Sequence, residues 1–464
     1  MEYKIFGCKV NKYYTDKWLN SEYLKDKNWI FVASCVVTDQ AKRKWIKFIK
    51  EIFKDKKDLN IWFDEWKLPE SQSLIGWVFE WIKSNSKSYN NFKVYISWCW
   101  AFKDWKAQDN FFELYPELEQ FKDKIEILWE DPDNEKISQN ILKQAKWFRK
   151  IENNKNLEKL KNKLKNQIYT KKFVLIQWGC DSFCSFCLTV KKRWKHYYRA
   201  KEDIVKEILD FEKSWWKEVV LTGINLSAWG QKSTNDFENP RFKELIKYIL
   251  ENTKIPRIRI SSLWPEFIDD ETIKLFENTR IYPHFHISVQ SGSTNVLKNM
   301  KRHYSWEYIK NLLLKLRNLK REDEVIVSIW ADIIVGFPWE TENDFKKTLE
   351  LIKDCEITKV HAFPFSAHKL WENVPAWFFK NQIDDKTKKE RMNKILDLSE
   401  KIRQNFINKN IWKTFKILIE QTKEDWSFKG WTENYIESSK ENIEIISWEV
   451  KRNEIIIWKL KKNL

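Results

Sequence analysis

Glycine is scarce in this sequence, with 8 residues among 464, although a typical share of about 7% would give roughly 30. Tryptophan is abundant instead, with 28 residues. Several tryptophans stand where glycine suits the chain better, because a bulky residue adopts positive φ only at a cost. They are Trp339 after Phe337 and Pro338, Trp194 in a basic run, and the solitary Trp18, Trp45 and Trp81 among polar neighbours. We hypothesise that the cell of origin reads a stop codon as glycine at such positions. The alternative is a protein that is truly rich in tryptophan.

Long apolar runs are also missing. None approaches the roughly 18 residues that a membrane-spanning helix needs, and no secretory leader is recognisable in the sequence. We therefore expect a cytoplasmic protein without a membrane partner. A disulfide framework is not expected either, because seven cysteines are an odd number in a long chain. That count favours thiol or metal chemistry in a reducing compartment.

Acidic residues are outnumbered, with 67 Asp and Glu against 84 Lys and Arg, for a formal net charge of +17. Such a balance favours a polyanionic partner, usually a nucleic acid, although a merely basic surface is the alternative. Residues 146–172 concentrate the excess, since they hold ten basic and two acidic residues. We interpret them as part of a charged linker, with contact to an RNA backbone as the sharper alternative.

Three cysteines stand close together in the spacing C-x3-C-x2-C: Cys180, Cys184 and Cys187. They directly follow residues 173–176, an apolar run typical of a buried strand. Three thiolates can hold three irons of a [4Fe–4S] cluster and leave the fourth iron open to S-adenosylmethionine, the cofactor of radical enzymes. Zinc is the alternative, but structural zinc sites favour paired cysteines with a fourth ligand nearby. The nearest histidine, His196, lies in a basic run instead.

Cys8, Cys35 and Cys99 each follow a strand-like run in the first part of the chain. Helix-like residues 39–53 come after the second of these runs, and the order strand, cysteine, helix favours an α/β domain with parallel strands. Ligands gather outside the carboxyl ends of such strands. We expect the three thiols to converge there on a second cluster, whereas each one alone reads as a buried core thiol.

From residue 173 onward strands and helices alternate. The strand-like runs are 218–221, 258–261, 286–290, 325–336 and 360–365, and helical stretches include 201–213, 305–319 and 341–354. Repeated βα units of this length predict a parallel barrel or partial barrel with its chemistry at the carboxyl ends of the strands.

Small and polar residues stand at several of these strand ends. Thr222, Gly223 and Asn225 suit the amino-acid part of a ligand, through backbone and side-chain hydrogen bonds. Ser262 and Gln290 offer a hydroxyl and an amide to a ribose, and the backbone around Ile334 suits a flat base. Each signal is weak alone, and their repetition over successive strands is what favours a nucleoside-like cofactor.

The last sixty residues change character. Short strand-like runs separated by turns predict a small β-barrel there. Trp431 and Tyr435, in its Gly430-x-Thr-Glu-Asn-Tyr stretch, suit stacking on bases. The alternative is that both rings belong to the core of the barrel.

Taken together, these motifs resemble the radical SAM methylthiotransferases along nearly the whole chain. The residues around Cys8, Cys35 and Cys99 match the first domain of that family, and residues 179–187 match its radical SAM loop. Residues 332–340 resemble the family's D-I-I-V-G-F-P-G-E, with Trp339 at a glycine position. Trp98 and Trp194 also fall on family glycines.

The resemblance implies an α/β fold class with three domains. We expect an N-terminal parallel α/β domain at 1–130 that carries an auxiliary cluster, followed by a basic linker at 131–170. A radical SAM partial (β/α) barrel is expected at 171–402, and a small C-terminal RNA-binding β-barrel of the TRAM type at 403–464.

The resemblance also implies an activity. The G-C-K-V-N, C-x-V-T and G-x-T-E-N-Y forms resemble the type that converts N6-threonylcarbamoyladenosine at tRNA position 37, beside the anticodon, to its 2-methylthio derivative. The isopentenyladenosine type and the ribosomal-protein type are the alternatives within the family. Implied cofactors are two [4Fe–4S] clusters and S-adenosylmethionine. Implied partners are the tRNA anticodon stem-loop and a reductant such as flavodoxin or ferredoxin.

Residue roles follow from the same resemblance. Cys180, Cys184 and Cys187 would bind the cluster that cleaves S-adenosylmethionine, with Phe186 near the adenine. Cys8, Cys35 and Cys99 would bind the cluster that donates sulfur. A 5′-deoxyadenosyl radical would abstract hydrogen from C2 of the target adenine, sulfur would add there, and a second S-adenosylmethionine would supply methyl.

Two other classes compete with this interpretation. One is a radical SAM enzyme that acts on a protein residue, and the other is a non-catalytic RNA-binding protein with structural metal. Iron and sulfide content separates the last class, because a zinc protein without sulfide would favour it.

Overall fold

The computed structural model describes residues 2–5, 9–19, 21, 24, 29–33, 39–54, 93–97, 102–103, 106–107, 111–128, 170–189, 195–214, 216–366, 374–422, 427–444 and 450–461. The chain forms two compact units, Met1–Lys155 and Asn156–Leu464. The predicted boundary at 130 lies outside the described ranges, and the one at 170 lies at the start of the described range 170–189. The four-part division stays a prediction.

The first unit contains a parallel sheet. Its strands are β1 (Glu2–Ile5), β2 (Trp29–Ala33), β3 (Lys93–Ser97) and β6 (Ile125–Leu128), in the order β1-β2-β3-β6. The other elements are the helices α1 (Lys9–Leu19), α2 (Asp39–Lys54), α3 (Phe111–Leu114) and α4 (Pro116–Glu119) and the hairpin of β4 (Phe102–Lys103) and β5 (Lys106–Ala107). Buried Phe31, Tyr95 and Leu128 pack together in one core cluster. The predicted parallel α/β organisation is confirmed here.

The second unit is built on six parallel strands. They are β7 (Lys172–Leu175), β10 (Glu218–Thr222), β11 (Arg257–Ile260), β12 (His284–Gln290), β13 (Ser328–Val335) and β14 (Lys359–Pro364). The first three form one sheet in the order β11-β10-β7, and the last three form another. A parallel bridge between Leu263 and Ile287 joins the two sheets. The result is the partial barrel that the alternating pattern predicts.

Helices cover one face of these strands. They are α5 (Lys201–Lys213), α6 (Phe242–Asn252), α7 (Asp270–Leu275), α8 (Thr294–Asn299), α9 (Trp306–Arg317) and α10 (Glu342–Asp354). Capping explains where some begin: Ser305 accepts the Tyr308 amide before α9, and Thr341 and Asp344 form a capping box at α10. A small hairpin of β8 (Gln177–Trp178) and β9 (Tyr197–Tyr198) lies between β7 and α5.

The C-terminal segment forms an antiparallel sheet. Its strands are β15 (Thr414–Thr422), β16 (Phe428–Trp431), β17 (Glu437–Ser439), β18 (Ile443–Glu444) and β19 (Ile455–Leu460), in the order β17-β16-β15-β19-β18. Phe415, Ile417 and Trp458 form its core with Phe406 of helix α11 (Asp385–Asn410). That helix runs across the predicted boundary at 402–403.

Tryptophan occupies two contrasting kinds of position. Trp339 and Trp412 have φ values of 65° and 68°, in the left-handed region that glycine adopts most easily. Trp18 and Trp45 are instead 1% and 0% exposed and fill the core of the first unit. The structure therefore agrees with glycine at the first two positions. At Trp18 and Trp45, where the sequence also suggests glycine, the buried indole rings do not support that prediction. Trp98 and Trp194 lie outside the described residues.

None of the described helices has both the length and the apolarity that crossing a bilayer requires.

Candidate active site

Side-chain alternation along the barrel strands separates an apolar face from a polar one. Val219 and Leu221 of β10 and Phe285 and Ile287 of β12 belong to the large core cluster between the strands and the helices. The opposite face of the same strands carries buried polar groups: Glu218, Thr222, His284, His286 and Ser288. A face this polar has to be satisfied by partners within the protein or by a ligand.

The cysteine loop follows β8 at the carboxyl end of the barrel. Cys180 and Cys184 are buried, Cys187 is half-buried, and all three are free thiols. Burial raises the pKa of Cys180, and it raises the pKa of Cys184 to about 12. A coordinating metal centre deprotonates a thiol outright, so this loop suits metal binding better than free thiolate chemistry.

The residues around the first cysteine are held by Thr234, which lies in the loop between β10 and α6. The Thr234 amide donates to the Asp181 carboxylate at 2.7 Å, and the Asp181 amide donates to the Thr234 hydroxyl at 3.0 Å. That hydroxyl lies 3.7 Å from Cys180 Sγ. Asn235 Nδ2 adds a bond of 2.7 Å to the Asp181 carbonyl. Sequence reasoning missed Thr234, because it lies 54 residues beyond the cysteine motif.

The residues around the second cysteine are tied to the end of α8. Ser185 Oγ donates to the Asn299 carbonyl at 2.6 Å, and the Ser185 amide donates to the Met300 carbonyl at 3.2 Å. These carbonyls belong to a helix end, where the helix itself supplies no donors. The Ser185 carbonyl accepts the Ala376 amide at 2.9 Å. Bonds from both sides therefore fix the backbone that carries Cys184.

Gln177 connects the cysteine loop to the end of β10. Its Nε2 donates to the Gly179 carbonyl at 2.7 Å, and its Oε1 accepts the amides of Ile224 and Asn225 at 3.0 and 2.8 Å. Gly223 leaves room for this approach, since a Cβ there would stand 3.0 Å from both Gln177 oxygens. The close approach of Gln177 explains why glycine is needed at position 223. Gln177 is a second residue that sequence reasoning missed.

Two buried polar atoms at this strand end have no hydrogen-bond partner within the described ranges. They are Thr222 Oγ1 and Asn225 Nδ2, and both side chains are 0% exposed. An unpaired buried polar group costs about 1–3 kcal/mol, so such atoms point to a ligand. A hydroxyl and an amide donor suit the carboxylate and amine of an amino acid, as the sequence predicts for this loop.

Deeper on the same face, three strands bring His286, Asp332 and His361 together. His286 Nε2 lies 2.8 Å and His361 Nδ1 3.5 Å from Asp332 Oδ1. Burial alone would raise the pKa of Asp332, but the two imidazoles hold it well below its usual range. Ser262 Oγ lies 3.1 Å from His286 Nδ1, so the predicted ribose contact would have to use the remaining bonding capacity of that hydroxyl.

The other predicted cofactor residues are distributed around the barrel mouth. Gln290 has a φ of 67° and follows an irregular register between β12 and β13, a feature found next to active sites. Ile334 is half-buried on β13, and Phe186 is half-buried in the cysteine loop. Cys8, Cys35 and Cys99 lie outside the described residues. The strands before them, β1, β2 and β3, are neighbours in one parallel sheet.

The opposite end of the barrel contacts the C-terminal sheet. Tyr435 stacks on His284 and on Trp431, each at 4.5 Å between ring centroids. Arg257 of β11 donates to the carbonyls of Lys416 and Trp431 at 3.2 and 3.3 Å. The Gly430–Tyr435 stretch thus fixes the sheet to the barrel, and its two aromatic rings stack within the protein.

The donor set fits a [4Fe–4S] cluster that is open at one iron. The loop supplies three thiols. The other free cysteine of the described residues is Cys355 at the end of α10, and its thiol donates to the Lys310 carbonyl of α9. The unpartnered atoms of Thr222 and Asn225 add a place for a polar ligand at the same end of the barrel.

Known proteins support this assignment. Residues 174–352 match the family model for the radical SAM superfamily. A threonylcarbamoyladenosine tRNA methylthiotransferase, MtaB, of Bacillus subtilis is 32% identical over 273 residues, 58% of this chain and 58% of its own length. A namesake from Aquifex aeolicus is 35% identical over 58% of this chain and 62% of its own.

A relative with a different name is equally similar. The tRNA-2-methylthio-N(6)-dimethylallyladenosine synthase of Clostridium tetani is 35% identical over 54% of this chain and 53% of its own length. The match thus spans between about half and two thirds of each of these curated relatives. A radical SAM domain implies a [4Fe–4S] cluster and S-adenosylmethionine. Residues 174–352 therefore match the radical SAM superfamily, in a chain that is similar to tRNA methylthiotransferases.

Proposed function

We propose that this protein is a radical SAM tRNA methylthiotransferase that converts N6-threonylcarbamoyladenosine at position 37 to its 2-methylthio derivative. The observation that carries the proposal is the pairing of a three-thiol loop with unsatisfied polar atoms at the carboxyl end of a partial barrel. The names of its relatives supply the substrate class. Both the substrate and the activity would place the protein in the cytoplasm.

The cluster and S-adenosylmethionine, when bound, would supply reductive cleavage of a carbon–sulfur bond and so a route to the unreactive C2–H of adenine. This chain's residues would bind and orient the reactants. Cys180, Cys184 and Cys187 would hold the cluster, while Thr222 and Asn225 would hold the amino-acid part of the cofactor. Gln177 would keep the two loops in register through bonds of 2.7–3.0 Å.

A second cluster is proposed at Cys8, Cys35 and Cys99. Their strands β1, β2 and β3 run parallel and adjacent, so the carboxyl ends of all three lie at one edge of the sheet. Each cysteine follows its strand by two or three residues in the sequence. Three cysteines that come so soon after neighbouring strands in the sequence favour a shared ligand, and a sulfur-donating cluster would give them a role.

The choice of threonylcarbamoyladenosine rests on the sequence motifs, because relatives with either substrate name are 32–35% identical to this chain. The Gly430–Tyr435 stretch is one of these motifs. In the structure it fixes the C-terminal sheet to the barrel, so it acts on RNA contact only through the placement of that sheet. Flavodoxin or ferredoxin is the proposed class of electron donor.

Nucleoside mass spectrometry of tRNA tests the proposal. The gene is introduced into a host that lacks this methylthiotransferase, once with the present tryptophans and once with glycine at the proposed glycine positions. We expect 2-methylthio-N6-threonylcarbamoyladenosine in the total tRNA, and its absence when Cys184 is changed to Ser. Cys355→Ser makes the same change at a cysteine outside the loop, so it serves as the matched control and should leave the modification in place.

Two other results would change the conclusion. A methylthio group on isopentenyladenosine would keep the chemistry and overturn the proposed substrate. Unmodified tRNA from cells whose purified protein contains iron and sulfide would contradict tRNA as the substrate and favour a protein residue.

A further inference from the structure

Arg302 is a buried arginine that reaches the cysteine loop. It follows α8 by three residues, its side chain is 0% exposed, and its Nη1 lies 3.8 Å from Cys184 Sγ. Another contact of a loop sulfur among the described residues is neutral: the Thr234 hydroxyl lies 3.7 Å from Cys180 Sγ. Within the described part of the chain, Arg302 therefore brings a full positive charge to a sulfur of the site.

The other two guanidinium nitrogens of Arg302 also have partners. Its Nη2 donates to Glu266 Oε2 at 3.2 Å, and its Nε donates to Tyr304 Oη at 3.2 Å. The guanidinium lies 3.9 Å from the centroid of the Trp264 ring. These contacts come from the segment after β11 and from the residues before α9, so the head group is fixed in place before any ligand binds. A planar fork with this many partners cannot be matched by lysine.

A fixed cation at a thiolate has a defined electrostatic consequence for an iron–sulfur cluster. One-electron reduction by a flavodoxin or ferredoxin adds one negative charge to the cluster, and no proton has to move. Positive charge and hydrogen bonds at the cluster sulfurs favour the reduced form, so they raise the reduction potential. The effect is large where water is excluded. The Glu266 carboxylate opposes it, because it places a negative charge 3.2 Å from the same guanidinium.

We propose that Arg302 is a positioning residue that raises the reduction potential of a cluster held by Cys180, Cys184 and Cys187, and that Glu266 limits the size of this effect. The inference rests on the proposed function, since it requires the cluster. It adds a specific means by which the chain makes that cluster reducible by a cellular donor. Arg302 has no predicted role in the sequence, because a single arginine 118 residues beyond its partner cysteine carries no spacing signal.

A potentiometric titration followed by electron paramagnetic resonance tests the proposal. The background is full-length protein with Cys8, Cys35 and Cys99 replaced by Ala, so that signals of a second cluster do not overlap. Arg302→Met should lower the ratio of reduced to oxidised cluster at a fixed potential about tenfold, which corresponds to about 59 mV for a one-electron couple. Glu266→Gln should shift the potential in the opposite direction. Lys301→Gln removes the same charge from the exposed neighbour and should leave the potential unchanged.

The possible results distinguish a failure of this inference from a failure of the proposed function on which it rests. An unchanged potential in Arg302→Met and Glu266→Gln, with iron and sulfide intact, would overturn the role of Arg302 and leave the enzyme assignment standing. If Arg302→Met does not retain its cluster, Glu266→Gln decides alone, because its potential has to rise. Absence of iron and sulfide from the unmodified protein would contradict the proposed function instead.

Discussion

The two ends of the partial barrel treat their polar groups in opposite ways. At the amino end, Glu218 pairs with Arg257 and Arg259 at 2.8 and 2.9 Å, and the C-terminal sheet covers the three side chains. The charges there are paired, although Arg259 Nη2 has no hydrogen-bond partner among the described residues. At the carboxyl end, Thr222 Oγ1 and Asn225 Nδ2 remain unsatisfied within the described residues although they are buried. The amino end holds the second unit together, whereas the carboxyl end keeps bonding capacity for a ligand. We call the amino end the closed end and the carboxyl end the open end.

The pKa shifts at the two ends of the barrel also differ. Burial alone would raise the pKa of Glu218, but Arg259 and Arg257 outweigh it and lower that pKa to about 2. The thiols of Cys180 and Cys184 have raised pKa values, because burial dominates there. At the amino end the charges of the fold itself ionise the carboxylate, whereas the thiols at the carboxyl end would be deprotonated by a bound metal centre.

The largest effect on stability is expected at the closed end. Glu218→Gln leaves two buried guanidinium groups without their carboxylate, and removal of one partner from a buried ion pair costs about 3–5 kcal/mol. Urea denaturation of the full chain should show that loss in the free energy of unfolding. Glu244→Gln removes one side of the exposed pair with Arg241 and should cost less than about 1 kcal/mol. Equal effects in the two variants would erase the distinction between the ends.

Acid should act on the closed end through the same carboxylate. Its pKa is lower in the folded protein, at about 2, than the ordinary value of 4.5. The stabilisation is therefore complete above the ordinary value and is lost as pH falls from about 4.5 toward about 2. Denaturation curves at a series of pH values should show this loss, and Glu218→Gln should flatten it. A pH dependence that the variant leaves intact would assign the acid sensitivity to other groups.

A substitution at the open end should weaken ligand binding and leave the stability of the fold unchanged. Thr222→Val replaces an unpaired buried hydroxyl by a methyl group, so the free energy of unfolding should stay the same or rise slightly. Affinity for S-adenosylmethionine should fall about tenfold or more, since a hydrogen bond to a charged group contributes about 1.5–3 kcal/mol. Anaerobic calorimetry on reconstituted protein measures it, with Thr414→Val as control. Undiminished affinity would show that this hydroxyl does not bind the cofactor.

The smallest effect concerns Trp339, which follows β13 at the open end. Relief of its positive φ by Trp339→Gly should stabilise the protein by about 1 kcal/mol. Trp45→Gly should destabilise it by about 3–5 kcal/mol, because that ring is buried in the core. Peptide mass spectrometry of protein from the native cell reads both positions directly. A tryptophan mass at position 339 would refute the recoding hypothesis there.

The sequence predicted the elements whose side chains follow a regular pattern. Residues 286–290 and 360–365 lie within one or two residues of β12 and β14, since runs of apolar or alternating side chains define strands. The cysteine loop was predictable because three thiols at fixed spacing have few other uses. Gly223 was identified only as a small residue, and its reason became visible once Gln177 packed against it.

The remainder depends on contacts between distant residues. Thr234 and Arg302 reach the cysteine loop from 54 and 118 residues away, and no local pattern marks a single threonine or arginine for such a role. Trp431 and Tyr435 show a related limit. Both sequence interpretations of the two rings, stacking on bases or packing in a core, fit their local pattern equally well. The fold adds a third use, because they stack beside His284 against the barrel.

Production of 5′-deoxyadenosine tests the open end most directly. Reconstituted protein is incubated anaerobically with S-adenosylmethionine and dithionite, and the nucleoside is quantified by mass spectrometry. We expect it from the unmodified protein and from the Cys8, Cys35 and Cys99 triple alanine variant, and none from Cys184→Ser. Protein that holds iron and sulfide yet yields no 5′-deoxyadenosine would contradict a radical SAM site at this end of the barrel.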